Sequence, residues 1–434
     1  MQKNKMKNKA LKYQLLFLKI YSFFWWAFFS MVFVFQSVYF AEIGISLNKI
    51  FINSAVAVIF SLFIVNLWSK ISDKTHKKKK FIIVGNLMRC ISFAFLPFVN
   101  SFPTMLIYTI IFNSGPHPDA ILITYIYKIS SFTDSEQSQK RPIYHKIYTY
   151  ANIRKFGSIG WAAMLPFSGL IVDFFGFQVN FLVSAVCLAI MTLIFTIIFD
   201  ETIIVKLANE DEKMADEKSN LHNFTLLTNL KNILKNQMYR IFILIVFVVA
   251  ISGAMNTTVF SIFNFKFSND SYFLLSLTWS FNAALEYPIM LLAPKLIERY
   301  KWQNVMVITY ILGTIRHLLN PLVIIFDGTI VWIYFFQIIN GFTFGLGWPA
   351  TTYGINSNLD EDQKSLGMTF YNSIKLMGNF IGNLIGSIIA SLIANENIFY
   401  YILYTISALI SLIAAIAFGL KAKKLRKRKD INEK

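Results

Sequence analysis

The stretch Asn152–Met164, NIRKFGSIGWAAM, sets two adjacent cations at the head of a small, apolar, glycine-rich run. At the mouth of a bilayer span a basic side chain can snorkel back to the headgroups. Held inside, it costs several kcal/mol and marks a site. Composition decides first whether the run is a span at all. Hydrophobic residues make up 56% of the chain, charged residues 15%, and there are 44 phenylalanines. A soluble domain carries about 25% charged residues, so the sequence is that of a polytopic membrane protein.

Working outward, a span needs about 20 mostly apolar residues. Twelve such runs are predicted, at 15–40, 50–70, 81–99, 103–128, 151–173, 178–199, 239–264, 272–294, 303–326, 329–356, 365–394 and 397–420. The net charge of +18 does not indicate a nucleic-acid partner, because the cations lie in segments that alternate with the apolar runs. KTHKKKK (74–80), the 128–150 and 200–238 segments, KLIERYK (295–301) and KAKKLRKRK (421–429) are basic or mixed. The alternate loops are nearly free of Lys and Arg, Lys49 and Lys266 apart. This pattern predicts both termini in the cytoplasm and an even number of spans. The first span lacks an A-x-A-like site, so no cleaved leader is expected. Cys90 and Cys187 have neither disulfide nor metal spacing.

The predicted organisation is a cytoplasmic tail (1–14), a six-helix bundle (15–199), a cytoplasmic linker with a short amphipathic helix (200–238), a second six-helix bundle (239–420) and a basic tail (421–434). In the linker, Phe224, Leu227, Leu230 and Leu234 recur at helical spacing. An internal repeat supports the two halves. Asp73-Lys74 corresponds to Glu298-Arg299, Arg89 to Arg316, and RKFGSIG in span five to KLMGNFIG in span eleven, which pairs Arg154 with Lys375. Like-oriented halves of this kind place a solute site at their interface near the midplane.

Ionisable residues within spans are the candidates for chemistry. Asp119 follows two prolines in NSGPHPDA, and Glu286 lies beside Pro288. Arg316 and Lys375 are expected to face Glu286, a broken helix end or a cavity, since an unpaired buried cation is costly. His117 adjoins Asp119 and His317 adjoins Arg316. Trp161 lies seven residues after Arg154, on the same helical face, and suits stacking against a sugar or base. Lys155 points about 100° away around that helix and reads as a snorkelling anchor. No catalytic constellation or metal spacing is present, so the chain is not expected to be an enzyme.

RKFGSIGWA resembles span five of the oligosaccharide:proton symporter family, and NSGPHPDA resembles that family's span four. MLLAPKLIERYKWQNVMVITYILGTIR is similar to its spans eight and nine, SKISDK to the loop signature of the major facilitator superfamily, and NGFTFGLGWPA to the broader branch that includes nucleoside:proton symporters. The resemblance implies the twelve-helix major facilitator fold and proton-coupled uptake of a sugar or nucleoside by alternating access. It implies an Asp119–Arg154 pair with Asn113 beside it, Trp161 stacking on the solute, and Arg316 stabilising the deprotonated carrier. Asp73, Lys74, Glu298 and Arg299 would latch the cytoplasmic side. Asn340 and Thr343 stand where that family has a histidine and a glutamate, and Glu286 falls three residues past the family's span-eight glutamate. On this reading Glu286, with Arg316 and Lys375, carries coupling; without it the chain would be a uniporter. An exporter of drugs or metabolites and a non-transporting receptor on the same scaffold are the alternatives. The expected setting is the plasma membrane, as a monomer among lipids, with no cofactor other than the proton.

Overall fold

The computed structural model describes residues 2–75, 78–118, 121–122, 142–202, 226–326, 328–360 and 363–432. Every regular element among them is helical. Helices satisfy each peptide group within one segment, as the bilayer interior requires. The first half contains α1 (Gln2–Phe33), α2 (Gln36–Glu42), α3 (Leu47–Thr75), α4 (Lys78–Phe95), α5 (Phe102–Ser114) and α6 (Pro142–Ile198). A short α7 (Leu226–Lys235) precedes the second half. That half holds α8 (Gln237–Phe265), α9 (Tyr272–Tyr300), α10 (Trp302–Ile325), α11 (Ile330–Asn358), α12 (Lys364–Leu392) and α13 (Glu396–Asn432).

Nine helical stretches among the described residues are long and apolar enough to cross a membrane. One of them, Ile153–Ile198, holds two crossings, because Gly176 breaks α6 with φ 82° and ψ 169°. Two further crossings are α9, whose prolines and charges lower its hydropathy, and the span that α5 opens. The fold is the two-bundle plan of twelve membrane helices, of which the described residues give eleven crossings and the short α5.

Several boundaries differ from expectation. The first span is not one helix but breaks between α1 and α2 at Val34–Phe35. Both basic tails are helical, from Gln2 and to Asn432, since lysine-rich sequence keeps a high helix propensity once out of the bilayer. In span four the helix stops at Ser114, and Gly115–His117 is irregular. The amphipathic piece of the linker is present as α7; Phe224 lies outside the described residues.

Close packing repeats between the halves. α1 lies along α6, and α8 lies along α12. At the first contact a Cβ on Gly160 would collide with the Phe23 carbonyl, and at the second one on Gly382 would collide with the Ile251 carbonyl. Only glycine lets the backbones approach this far. Buried hydrogen bonds fix each bundle further. Trp25 Nε1 donates to Asn86 Oδ1 (2.9 Å), whose amide donates to the Tyr21 hydroxyl (2.7 Å). In the second half the Tyr239 hydroxyl donates to the Gly367 carbonyl (2.6 Å). Between the halves, α6 packs on α9 and α3 on α12.

Candidate functional site

α6 and α9 bring the opening stretch to its partner. One turn separates Arg154 from Ser158, and one turn separates Asn282 from Glu286, so each pair shares a helical face. Arg154 Nη1 donates to Ser158 Oγ at 3.3 Å, and Ser158 Oγ donates to Glu286 Oε2 at 2.9 Å. Asn282 Nδ2 donates to Glu286 Oε1 at 3.3 Å. Ser158 and Glu286 are buried, at 1% and 7% exposure. A hydrogen-bonded chain thus runs from a cation in the first half to a carboxylate in the second. The guanidinium lies 4.3 Å from the Trp26 ring centroid and 5.8 Å from that of Phe344. Lys155 turns instead to the rings of Phe156 and Tyr287, at 5.6 and 5.4 Å.

Alongside lies a cavity of about 760 Å³ between the halves. Its lining runs from Gln36 and Ile50 to Met306 and Tyr371. The last two sit near the ends of helices that face the same way as the chain termini. Phe29, Phe33 and Trp279 give it an aromatic wall, and Trp161 packs behind them, 5.5 Å from Phe33 and 6.3 Å from Trp279. Its amides are oriented by hydroxyls. Tyr108 donates to Gln36 Oε1 (2.9 Å), Thr109 to Asn53 Oδ1 (2.8 Å), Ser61 to Asn113 Oδ1 (2.8 Å) and Thr258 to Asn383 Oδ1 (2.7 Å). Lys375 is the one charged side chain among the described lining residues.

The end of the bundle opposite the termini is clamped. The Asp173 carboxylate of α6 accepts from the first backbone N–H groups of α9, Tyr272 (2.7 Å) and Phe273 (3.0 Å), and from the Ser271 hydroxyl (3.3 Å). The Tyr272 hydroxyl donates to Glu42. On the other side Ser387 donates to the Asn48 carbonyl (3.2 Å).

The expected site residues therefore separate. Arg154 and Glu286 come together through Ser158. Asn113 and Lys375 line the cavity; Asn340 sits beside lining residue Thr343, accepting its hydroxyl at 3.1 Å. Asp119 lies outside the described residues, as do the side chains of Asp73 and Lys74. Glu298 and Arg299 are exposed in the last turn of α9. Arg316 stands against the Phe260 ring (5.7 Å) rather than in the cavity lining. Arg89 donates to the Gly85 and Pro116 carbonyls (3.3 and 3.2 Å), and so covers a carbonyl freed where span four breaks. Ser158, Asn282, Trp26 and Trp279 were missed from sequence. The first two carry a usable signal, a polar residue one turn from a buried charge.

The family model of the MFS_1 like family matches residues 15–401. No curated protein matches the sequence. Among solved structures, a substituted form of the nucleoside transporter NupG has a TM-score of 0.73 at 17% identity, over 94% of this chain and 99% of that one. Unsubstituted NupG gives 0.70 at 18%, over 94% and 98%. A POT family transporter in complex with a thioalcohol conjugated peptide gives 0.64 at 14%, over 95% and 96%. At these identities the likeness is one of fold.

Proposed function

The chain belongs to the MFS_1 like family, and from that premise we propose that it moves a small polar solute of the sugar or nucleoside class across a membrane by proton symport. The observation that carries this reading is the chain Arg154–Ser158–Glu286–Asn282, which crosses from one half to the other beside the cavity. A rocking motion that separates the halves must break the Ser158–Glu286 bond. The carboxylate then loses a donor in a low-dielectric wall, and a proton relieves the isolated charge. Protonation and the change of access are thereby linked through one side chain. The aromatic wall offers flat apolar faces to a ring, and the amides offer partners to its hydroxyls. The clamp at the far end supports a conformation in which solute exchanges with the terminal side.

The test is uptake by proteoliposomes across a panel of sugars and nucleosides, with and without an imposed pH gradient. Gradient-driven accumulation is expected; equilibration that ignores the gradient removes the symport reading. Glu286→Gln is expected to keep solute exchange and lose accumulation, and Arg154→Gln to lose binding while the protein still inserts. Wild-type accumulation by Glu286→Gln would move coupling elsewhere.

A further inference from the structure

We infer that the cavity selects solutes bearing an anionic group, a carboxylate or a phosphate, which Lys375 engages. This inference rests on the transport reading and narrows its substrate class.

Two independent observations lead to it. The first is charge. In the wall, Arg154 and Glu286 offset each other through Ser158. Lys375 is left as the one charged group among the described lining residues, with no carboxylate in that lining. In the open cavity water solvates its ammonium. Alternating access passes through an occluded state, and there the ammonium loses that water. An uncompensated buried cation is strongly unfavourable, whereas one facing an anion on the solute is not. Among the described lining groups and a neutral solute, this charge finds no counter-charge at the step where that is most costly.

The second is the polarity of the amides. An amide side chain offers an oxygen with two acceptor lone pairs and a nitrogen with two N–H donors. At Gln36, Asn53, Asn113 and Asn383 the oxygen already accepts from a protein hydroxyl. At Asn113 and Asn383 the nitrogen donates to a backbone carbonyl, Thr109 (2.8 Å) and Asn379 (3.0 Å) respectively, which fixes the flip. Of these four amides, Gln36 and Asn53 keep their nitrogens for a solute, and Asn379, also in the lining, keeps both side-chain groups. Lys375 adds further N–H donors one helical turn from Asn379, another lining residue. The Lys375 ammonium with the Gln36 and Asn53 amide nitrogens offers N–H donors to a solute acceptor, and an oxyanion is the strongest such group.

The experiment uses the full chain in proteoliposomes and matched probes: glucose, glucuronate and glucose 6-phosphate, then uridine and uridine 5′-monophosphate. Binding is read by ligand-induced thermal shift, and transport by counterflow. At least one anionic probe is expected to bind and exchange where its neutral parent does not. Which of the two oxyanions succeeds separates carboxylate from phosphate. Lys375→Gln is expected to weaken that probe about 10- to 100-fold, the loss expected for a charge-assisted hydrogen bond, and Lys375→Arg to restore most of it. Equal exchange of neutral parents, unchanged in Lys375→Gln, overturns the anion inference and leaves the transport reading standing. Lys375-dependent anion binding without counterflow keeps the anion site and overturns transport. No binding by any probe overturns both.

Discussion

Replacing Asp173 with alanine tests how the far end is held. The carboxylate belongs to α6 in the first half, yet it covers the first two N–H groups of α9 in the second, at 2.7 and 3.0 Å. It acts as a helix cap supplied from the other bundle. Capping by a side-chain oxygen is worth about 1 kcal/mol, with a range of roughly 0.5–2. The negative charge at a helix N-terminus adds roughly 0.3–1 kcal/mol at a surface site. Asp173 is exposed, and when the halves part these N–H groups turn to water, so the lower part of the combined range applies. A loss of about 1 kcal/mol shifts the closed-to-open ratio about fivefold. The assay is thiol labelling in oriented vesicles. Cys90 and Cys187 are replaced and a reporter is placed by Ser37→Cys, at a cavity-lining position near the clamp. A membrane-impermeant maleimide is applied from the side opposite the termini. Labelling is expected to quicken about fivefold in Asp173→Ala. An unchanged rate, with folding intact by thermal denaturation, would refute the idea that this cap holds the halves together.

Three further outcomes follow from the packing and the site. Gly160→Leu drives a side chain into the Phe23 carbonyl and is expected to yield no monodisperse protein in detergent, whereas Gly253→Ala, with nothing within 4 Å of the new Cβ, leaves thermal stability unchanged. Tyr239→Phe removes the 2.6 Å bond to the Gly367 carbonyl and should lower unfolding free energy by about 1 kcal/mol, seen as a fall in Tm. Ser158→Ala withdraws the donor from Glu286 and should collapse accumulation toward equilibrium, while Ser158→Thr preserves it; full accumulation by the alanine variant would detach Ser158 from coupling.

The spans were legible because the bilayer imposes one length and one composition on each crossing. The repeat was legible too: Gly160 and Gly382 meet corresponding neighbouring helices by the same close approach. What sequence left open was which helix faces which. The expected partner of Arg154, Asp119, lies outside the described residues; the described route from Arg154 runs through Ser158 to Glu286, 128 residues from Ser158 and in the other half, and sequence pointed to neither step of it. Helical periodicity assigns a residue to a face of its own helix and says nothing of what that face meets. Trp161 shows the same limit: it shares Arg154's face as expected, but Phe33 and Trp279 stand between it and the cavity. Of the two cations in the stretch Asn152–Met164, Lys155 reaches the half-buried rings of Phe156 and Tyr287, and Arg154 enters the network.

The hydroxyl-to-amide pairs in the cavity have a consequence for how specificity can change. At Gln36 and Asn53 a neighbouring hydroxyl takes the amide oxygen and leaves the nitrogen, and at Asn113 and Asn383 a backbone carbonyl takes the nitrogen as well. Exchanging Thr258 for valine alters volume little, yet it returns an acceptor at Asn383 to the solute. Thr109 holds the same position toward Asn53. The recognition code thus depends on hydroxyls that share the lining with the amides they orient, Tyr108, Thr109 and Thr258, and single steps there can rewrite it with the lining amides unchanged.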